Sequence, residues 1–396
     1  MSDLDAFRAE VAAWLEANCP AAMRVRPPND DEDVWGGRNA KFVNDDARTW
    51  LERCVEKGYT VPTWPREYGG AGLSEAEAKV LTEEMRRLGC RIPLKSFGIW
   101  MLGPVLLKYG TDEQKREHLI PIARGEIRWC QGYSEPGAGS DLASLATRAV
   151  REGDEYVITG QKVWTSHADK ADFQFCLVRT DGTVPKHQGI SFILIDMRTP
   201  GVSVRPIQLI SGYSPFCETF FDGARVPAKN LVGPENGGWE VAKLLLAHER
   251  ALISTLRDSA SSEEESLESL AKRFGRVENG RLADAALRDR ITQAAMDFRC
   301  NKLTLQRSQE AIAAGRGPGP ESSMFKLYGT ELNKRRRELK VLVCGYEGLG
   351  WEGDGYAPEA LQYTRDWLRS RANSIEGGSS EIQLNIIAKR VLGLPD

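Results

Sequence analysis

Apolar residues recur with two different periods along the chain, and the changes of period divide it into three stretches. From Leu4 to about Arg128 they recur at helical spacing, as in AFRAEVAAWL and EAKVLTEEMRRLG, which predicts amphipathic α-helices. After Arg128 the period becomes two in runs such as EYVITGQKVWTS and GISFILID. These runs are rich in β-branched and aromatic residues, and they predict strands. Helical spacing returns after the PENGG segment at Pro234.

The changes of period predict an α+β chain of three domains. These are an N-terminal α-helical domain over residues 1–128, a central β-domain over residues 129–233 and a C-terminal α-helical domain over residues 234–396. Short turns containing Gly-Asp or Asp-Gly separate the predicted strands. They leave no room for crossover helices, so we expect an antiparallel sheet.

Composition narrows the function to small-molecule chemistry. The net charge is -3 with 28% charged residues, which gives no overall field to attract nucleic acid or an anionic membrane. The eight cysteines occur singly, without a Cys-x-x-Cys pair, so we expect no metal site and a reducing cytoplasm. The N-terminus lacks the pattern of a signal peptide, and no apolar run is long enough to cross a membrane.

Two motifs of the central stretch could bind a phosphate or a flat heterocycle. In GYSEPGAGSDL, which starts at Gly132, small residues expose backbone N–H groups, and Ser134 and Ser140 add hydroxyls. An ordinary turn explains this motif equally well. In VWTSHAD, which starts at Val163, an indole could stack on a ring while a neighbouring hydroxyl donates a hydrogen bond to it. A tryptophan packed in the core of the β-domain is the alternative.

Glu249 lies on an apolar stripe of the predicted helix AKLLLAHERALISTL. The positions three, four and seven residues away neighbour it on a helix surface, and all are apolar: Ala242, Leu245, Leu246, Leu252, Ile253 and Leu256. A carboxylate in such a place is either paired with a cation or desolvated, and desolvation makes it a better general base. A buried structural ion pair therefore remains the alternative.

A second carboxylate, Glu376, precedes two glycines in SIEGGSSEIQ. Ser380 with Gln383 matches a capping box, which predicts that the last helix begins near Glu381 and offers N–H groups to an anion. The positive end of that helix favours the ionised form of Glu376, so we expect it to be the poorer base. A loop ligand or a surface acid is the alternative.

These motifs, in this order and in an α–β–α chain of this length, resemble the acyl-CoA dehydrogenase family over nearly the whole chain. The resemblance implies that an N-terminal helical domain and a central β-domain are followed along the chain by a C-terminal four-helix bundle, with FAD as the cofactor. It also implies α,β-dehydrogenation of an acyl-CoA thioester to the trans-2-enoyl-CoA in lipid β-oxidation, with flavin N5 accepting a hydride. An electron-transfer flavoprotein would be the electron acceptor, and the chain would form a homodimer or homotetramer.

The resemblance further implies the roles of individual residues. Ser134 would lie at the flavin pyrimidine edge, Trp164 against the isoalloxazine and Ser166 near N5. The other residues implied in cofactor binding are Gln131, Tyr133, Gly139, Thr165, Ser379, Ser380 and Glu381. Those implied in substrate binding are Ser140, Arg250, Gly377 and Gly378. In the family, a backbone N–H of the Gly377 to Gly378 region helps to hold the thioester oxygen.

The resemblance selects Glu249 as the base. Family members with a C-terminal base carry a glutamate directly before the glycine that matches Gly378, where this chain has Gly377, so Glu376 is one residue early. Other branches, similar to isovaleryl- and long-chain-type dehydrogenases, carry the base in a Glu-Arg pair that matches Glu249 and Arg250. Glu249 is therefore the predicted base, and Glu376 is the alternative.

Some positions depart from the family. Ala271 precedes Phe274 and Gly275 where many relatives have an arginine that binds the FAD pyrophosphate across the subunit interface, and Leu384 stands where an arginine is common. These departures suggest a divergent bacterial-type branch whose substrate differs from an ordinary straight-chain fatty acyl-CoA. Two other functions stay open: a flavin oxidase, monooxygenase or lyase-like enzyme on the same scaffold, and a non-catalytic FAD-binding subunit of a hetero-oligomer.

Overall fold

The computed structural model describes residues 3–25, 32–246, 265–314, 319–320 and 322–395. Within these ranges, every helix is too short or too polar to span a bilayer. The chain forms two compact units, and each of them has its own apolar core.

The first unit comprises Met1–Ile207 with Pro215–His248. Its N-terminal helices are α1 (Asp3–Asn18), α2 (Asp45–Lys57), α3 (Glu75–Arg87), α4 (Gly103–Tyr109) and α5 (Asp112–Arg124). Polar residues cap several of them: Asn44 Oδ1 accepts a hydrogen bond from Ala47 N at 2.8 Å, and Ser74 forms a capping box at the start of α3. The helical N-terminal stretch that the period predicts is confirmed.

Eight strands form one sheet in the described part of this unit. They are β1 (Trp129–Gly132), β2 (Arg148–Glu152), β3 (Glu155–Ser166), β4 (Phe173–Arg179), β5 (Ile190–Asp196), β6 (Val202–Ile207), β7 (Phe216–Pro227) and β8 (Leu231–Val232). Their order across the sheet is β6-β7-β3-β2-β4-β5-β8, and β1 pairs with β4. The predicted β-domain is therefore confirmed.

The antiparallel arrangement holds for most neighbours and fails for two. The pairs β2–β3, β3–β7, β4–β5, β5–β8 and β6–β7 are antiparallel. Strand β4 is parallel to β1, where Trp129 faces Phe173, and it is parallel to β2, where Arg148 faces Arg179. Strand β3 lies between β2 and β4 in the chain, and both β2 and β3 lie between β1 and β4, so each connection returns the chain to the same direction. Short turns thus specify hairpins, but not the pairing of strands that are distant in sequence.

Both faces of the sheet are buried. Phe175 of β4 and Phe192 of β5 stack at 6.0 Å between ring centroids, and they share an apolar cluster with Leu106 of α4 and Leu119 of α5. The alternate residues of the same strands, such as Ile193, form a separate cluster on the opposite face. Because both faces are covered, β4 and β5 are buried at nearly every position, whereas the first residues of β3 alternate between buried and more exposed positions. A helix over residues 238–246, α6, packs into the first cluster.

The second unit comprises Gln208–Ser214 with Glu249–Asp396. Its helices are α7 (Leu267–Phe274), α8 (Ala285–Ala313), α9 (Ser322–Cys344), α10 (Pro358–Ser370) and α11 (Ser380–Ile386). Helix α9 contacts each of the other four, so it is the central helix of the unit. Arg365 of α10 donates a hydrogen bond to Ser211 O at 3.2 Å, which attaches the 208–214 segment. The predicted C-terminal helical domain is confirmed.

Candidate active site

A bulge in β3 turns Trp164 outward. Lys162 pairs with Thr219 of β7 and Thr165 with Cys217, so β3 contains one extra residue between the two pairs. Trp164 adopts φ 60°, a left-handed conformation that bulky residues rarely take, and it is 54% exposed. A tryptophan packed in the core of the β-domain, the alternative for this motif, is therefore wrong. An exposed ring on a strained backbone is typical of a functional site.

The two hydroxyl residues after Trp164 have different environments. Ser166 is half-buried, and it pairs in register with Phe216. Thr165 is fully buried, and its Oγ1 has no hydrogen-bond partner among the described residues. Successive strand residues point to opposite faces, so Ser166 is the better placed of the two to reach a ligand beside the indole.

Residues 133–147, which connect β1 to β2, form the Ser134 loop. Glu135 and Ala138 exchange two backbone hydrogen bonds of 3.0 Å, which close a tight turn at its start. Gly139 and Ser140 are exposed, and an added Cβ on Gly137 or Gly139 would meet no atom within 4 Å. The loop therefore presents backbone and hydroxyl groups to an open space, as its sequence suggested.

The structure brings the Ser134 loop and the Trp164 bulge together. Val163 N donates a hydrogen bond to Ser134 O at 2.9 Å, and Lys162 Nζ donates one to Tyr133 O at 3.1 Å. Tyr133 itself is buried, and Gln131 of β1 is half-buried. An exposed indole beside hydroxyls and open backbone is the kind of surface that fits a flat ring with polar edges. These residues of the first unit thus fit a flavin.

Glu376 is a hydrogen-bonded carboxylate with a cation beside it. Arg369 Nη2 donates to Glu376 Oε2 at 2.7 Å, and Asn373 Nδ2 donates to Oε1 at 2.6 Å. Asn373 in turn accepts a hydrogen bond from Asn333 of α9 at 2.7 Å. Arg369 gives one oxygen a charge-assisted hydrogen bond and Asn373 bonds the other, so neighbouring side chains already engage both oxygens. The environment of Glu376 is therefore that of a structural ion pair.

The turn after Glu376 contains two glycines in the left-handed region. Gly377 has φ 63° and Gly378 has φ 91°. They orient Ser379 as the N-cap of α11, where its hydroxyl accepts a hydrogen bond from Ile382 N at 3.4 Å. The prediction that Ser380 caps this helix is thus wrong by one residue, because Ser379 is the residue with extended backbone and Ser380 is the first helical one. Glu381 follows in the first turn and is exposed.

The predicted base Glu249 and its neighbour Arg250 lie outside the described residues. The described part of the apolar stripe of Glu249 includes Ala242 and Leu245 of α6, both of which are fully buried. Ala271, the position that lacks the expected arginine, is 5% exposed and packs in the core of the second unit.

Lys162 is a residue of the site that none of the sequence motifs indicated. Its side chain is fully buried and forms an ion pair of 2.7 Å with Glu135. The sequence did indicate that Lys162 is buried. It lies an even number of residues from Tyr156 and Ile158 on the same strand, so it points to the same face as these two buried residues. An inward-facing lysine on a strand needs a buried partner, and that requirement points to a nearby acid.

Comparisons with known proteins agree with this architecture. Family models of acyl-CoA dehydrogenases match the chain with their N-terminal domain at residues 2–126, their middle domain at 130–224 and their C-terminal domain at 236–392. The chain is 38% identical over 401 residues to the acyl-CoA dehydrogenase IpdE1 of Mycobacterium tuberculosis, covering 100% of this chain and 99% of that protein.

Two solved structures are similar over the full length. One is the Tcur3481-Tcur3483 steroid ACAD, with a TM-score of 0.78 and 33% identity over 100% of this chain and 98% of that chain. The other is the ChsE4-ChsE5 complex from Mycobacterium tuberculosis, with a TM-score of 0.74 and 29% identity over 100% of this chain and 98% of that chain.

Proposed function

Because the chain belongs to the acyl-CoA dehydrogenase family, we propose that it dehydrogenates a steroid-derived acyl-CoA thioester to the trans-2-enoyl-CoA, with FAD as cofactor. The observation that carries the cofactor assignment is the bulged, half-exposed Trp164 beside the Ser134 loop. Trp164, Ser166 and Ser134 would hold the flavin. When bound, FAD supplies the acceptor for the hydride that leaves Cβ.

In this proposal Glu249 removes the α-proton of the thioester. The burial of Ala242 and Leu245 supports this role, because both belong to the apolar stripe of Glu249 in the sequence and both pack in an apolar core. The contacts of Glu376 support it as well, since both of its oxygens already accept hydrogen bonds from Arg369 and Asn373. A general base needs a lone pair that can reach the proton.

The thioester oxygen needs hydrogen bonds that strengthen as enolate charge develops. We assign one of them to the backbone of Gly377 and Gly378. Both residues are exposed and carry no side chain, so a ligand can approach their backbone closely. The neighbouring contact between Glu376 and Arg369 holds this turn against α10.

A steroid-derived acyl group is proposed because a similar structure over the whole chain is named as a steroid ACAD. The same comparison and the ChsE4-ChsE5 complex suggest a second, different acyl-CoA dehydrogenase chain as partner. Ala271 agrees with a heteromer, because this chain lacks the cation that many relatives use for the FAD pyrophosphate. An electron-transfer flavoprotein is the proposed electron acceptor.

The test is a thioester titration of the purified protein, alone and co-expressed with a second, different acyl-CoA dehydrogenase chain as candidate partner. We expect a visible flavin absorbance that bleaches with a thioester whose acyl group carries steroid rings, and more slowly with octanoyl-CoA. Mass spectrometry should show a product that has lost two hydrogens. A coloured protein that no thioester bleaches would contradict the proposal, and so would faster bleaching by octanoyl-CoA.

A non-catalytic role is the second candidate, and Ala271 favours it because the missing cation weakens an independent FAD site. In that case this chain would bleach no flavin when the base of its partner is replaced. Under the main proposal, a complex whose partner chain has lost its base should still bleach flavin, because Glu249 of this chain remains active.

A further inference from the structure

Glu135 and Lys162 form an ion pair in the interior of the first unit. The Lys162 side chain is 0% exposed and that of Glu135 is 8% exposed, and Lys162 Nζ lies 2.7 Å from Glu135 Oε1. Burying two charges is costly, and an apolar pair of similar volume is often at least as stable. Stability alone is therefore a weak reason for the pair, and the atoms that it connects suggest another.

Strand β3 holds three consecutive residues of the Ser134 loop. Lys162 Nζ donates to Tyr133 O at 3.1 Å and to the Glu135 carboxylate, which flank Ser134 on both sides. The next residue, Val163, donates its N–H to Ser134 O at 2.9 Å. The residue after that is Trp164, so the position of Ser134 relative to the indole depends on these contacts.

The same carboxylate closes the far end of the loop. Glu135 Oε2 accepts a hydrogen bond from Ala146 N at 2.6 Å, and Oε1 accepts one from Thr147 N at 2.9 Å. The two ends of a stretch of more than ten residues therefore meet on one side chain. That side chain is fixed to the bulged strand by Lys162.

We propose that the Glu135–Lys162 pair is a positioning device for the cofactor: it sets the Ser134 loop against Trp164 and thereby determines how FAD binds. This inference rests on the proposed function, because it takes the surface between the loop and the indole as the flavin site. Neither side chain is proposed to touch the cofactor.

The test compares Lys162→Met and the double variant Glu135→Gln/Lys162→Met with the wild type in the assembled protein. Lys162→Met leaves a buried charge and is expected to lower the urea midpoint of unfolding. The double variant removes both charges, so we expect its midpoint to return toward the wild-type value. Its loop keeps the Val163–Ser134 backbone hydrogen bond but loses both Lys162 contacts with β3, so its Kd for FAD should rise by about tenfold or more. The visible circular dichroism of its bound flavin should also change.

Lys186→Met is the matched control. Lys186 contacts Asp141 of the same loop at 2.7 Å, but this pair is at the surface, where the two side chains are 47% and 60% exposed. Its removal should change the Kd for FAD by less than about twofold.

The inference is wrong if the double variant recovers both the unfolding midpoint and wild-type FAD affinity with an unchanged flavin spectrum. If neither Lys162 variant folds, the same two measurements are made on Glu135→Gln. This variant keeps the shape of the side chain but replaces one hydrogen-bond acceptor by an NH2 group, and wild-type FAD affinity with an unchanged flavin spectrum would again contradict the inference. A wild-type protein that binds no FAD would instead overturn the proposed function together with this inference.

Discussion

Trp164 has a left-handed backbone conformation that is unfavourable for a residue with a bulky side chain. A bulky residue at φ 60° is strained by about 1–3 kcal/mol, which offsets the packing that the half-exposed indole gains in its T-shaped contact with Phe216. Such strain persists where function requires it. Glycine at this position would remove the strain, at a loss of about 0.5–1 kcal/mol in chain entropy.

We therefore expect Trp164→Gly to leave the free energy of unfolding of the apoprotein unchanged or raise it by about 1 kcal/mol. FAD affinity should fall by about tenfold, because stacking on an aromatic ring is lost. Urea unfolding and a flavin fluorescence titration measure the two quantities. Val150→Gly, at an exposed β2 position, is the control and should destabilise the protein by about 1 kcal/mol without affecting FAD. A large loss of apoprotein stability in Trp164→Gly would contradict the strain argument.

Replacing each candidate base, Glu249 or Glu376, by glutamine distinguishes between them, because glutamine has the same shape but cannot accept the proton. Removing a general base costs about 10²–10⁴-fold in rate, so Glu249→Gln should lower kcat by that factor with a smaller effect on KM. Glu376→Gln loses a charge beside Arg369 but keeps an acceptor for Asn373, and we expect its kcat to stay within about tenfold of wild type. Stopped-flow reduction of the flavin measures both. The assignment fails if Glu376→Gln shows the larger loss.

Glu135 should make stability depend on pH. Burial by itself raises the pKa of this carboxyl, but the Lys162 ammonium and the donated hydrogen bonds outweigh burial and hold the pKa below its ordinary value. A lowered pKa stabilises the folded state above the ordinary value of about 4.3, and this contribution is lost as the pH falls through the lower, folded-state value.

Urea unfolding at about pH 6 and about pH 3.5 tests this dependence. The wild type should lose more stability between the two than Glu135→Gln, which has no proton to gain. Glu155→Gln, an exposed position of β3 paired with Arg225, should behave like the wild type. Parallel pH profiles of wild type and Glu135→Gln would exclude a stabilising role for the ionised carboxylate.

At the scale of elements, the period of two predicted β3, but not its bulge. An extra residue between Lys162 and Thr165 changes the register without changing the composition of the strand. The bulge depends on β7, whose pairing cannot be read from β3 alone. The start of α11 was misplaced by one residue for a related reason, since Ser379 and Ser380 are both acceptable caps and the conformation of Gly377 and Gly378 decides between them.

A substitution of Gly378 tests whether this turn requires glycine for the stability of the protein. It has φ 91°, and an added Cβ would lie 2.5 Å from Gln383 Nε2. Gly378→Ala should therefore destabilise the protein by about 1–2 kcal/mol, as measured by urea unfolding. Gly137→Ala, which has open space around the added Cβ, is the matched control with an expected change below about 0.5 kcal/mol. Equal effects of the two substitutions would show that the turn tolerates a side chain.

At the scale of the molecule, the α–β–α order followed from local periods, whereas the contacts between stretches did not. The predicted division at residue 128 separates α4 and α5 from the sheet, yet Leu106 and Leu119 share a cluster with Phe175 and Phe192. An apolar face shows that a helix is buried, but it does not identify the surface that covers it. The three-domain division therefore stays a prediction, to be tested by expressing the β-domain alone.

Ala271 allows a test of the oligomeric state, which one chain by itself does not reveal. Its side chain is 5% exposed, in a cluster with Leu270 and Val343. Restoring an arginine there would bury a cation, so Ala271→Arg should destabilise the protein by about 3 kcal/mol or more and should not improve FAD binding.

The charge of the pyrophosphate must then be met by other groups, and the proposed partner chain can supply them. We expect the separately purified chain to bind FAD at least about tenfold more weakly than the co-expressed complex, in titrations run beside light-scattering measurements of mass. An Ala271→Arg variant that folds normally and tightens FAD binding in the isolated chain would show that the site is completed within copies of this chain.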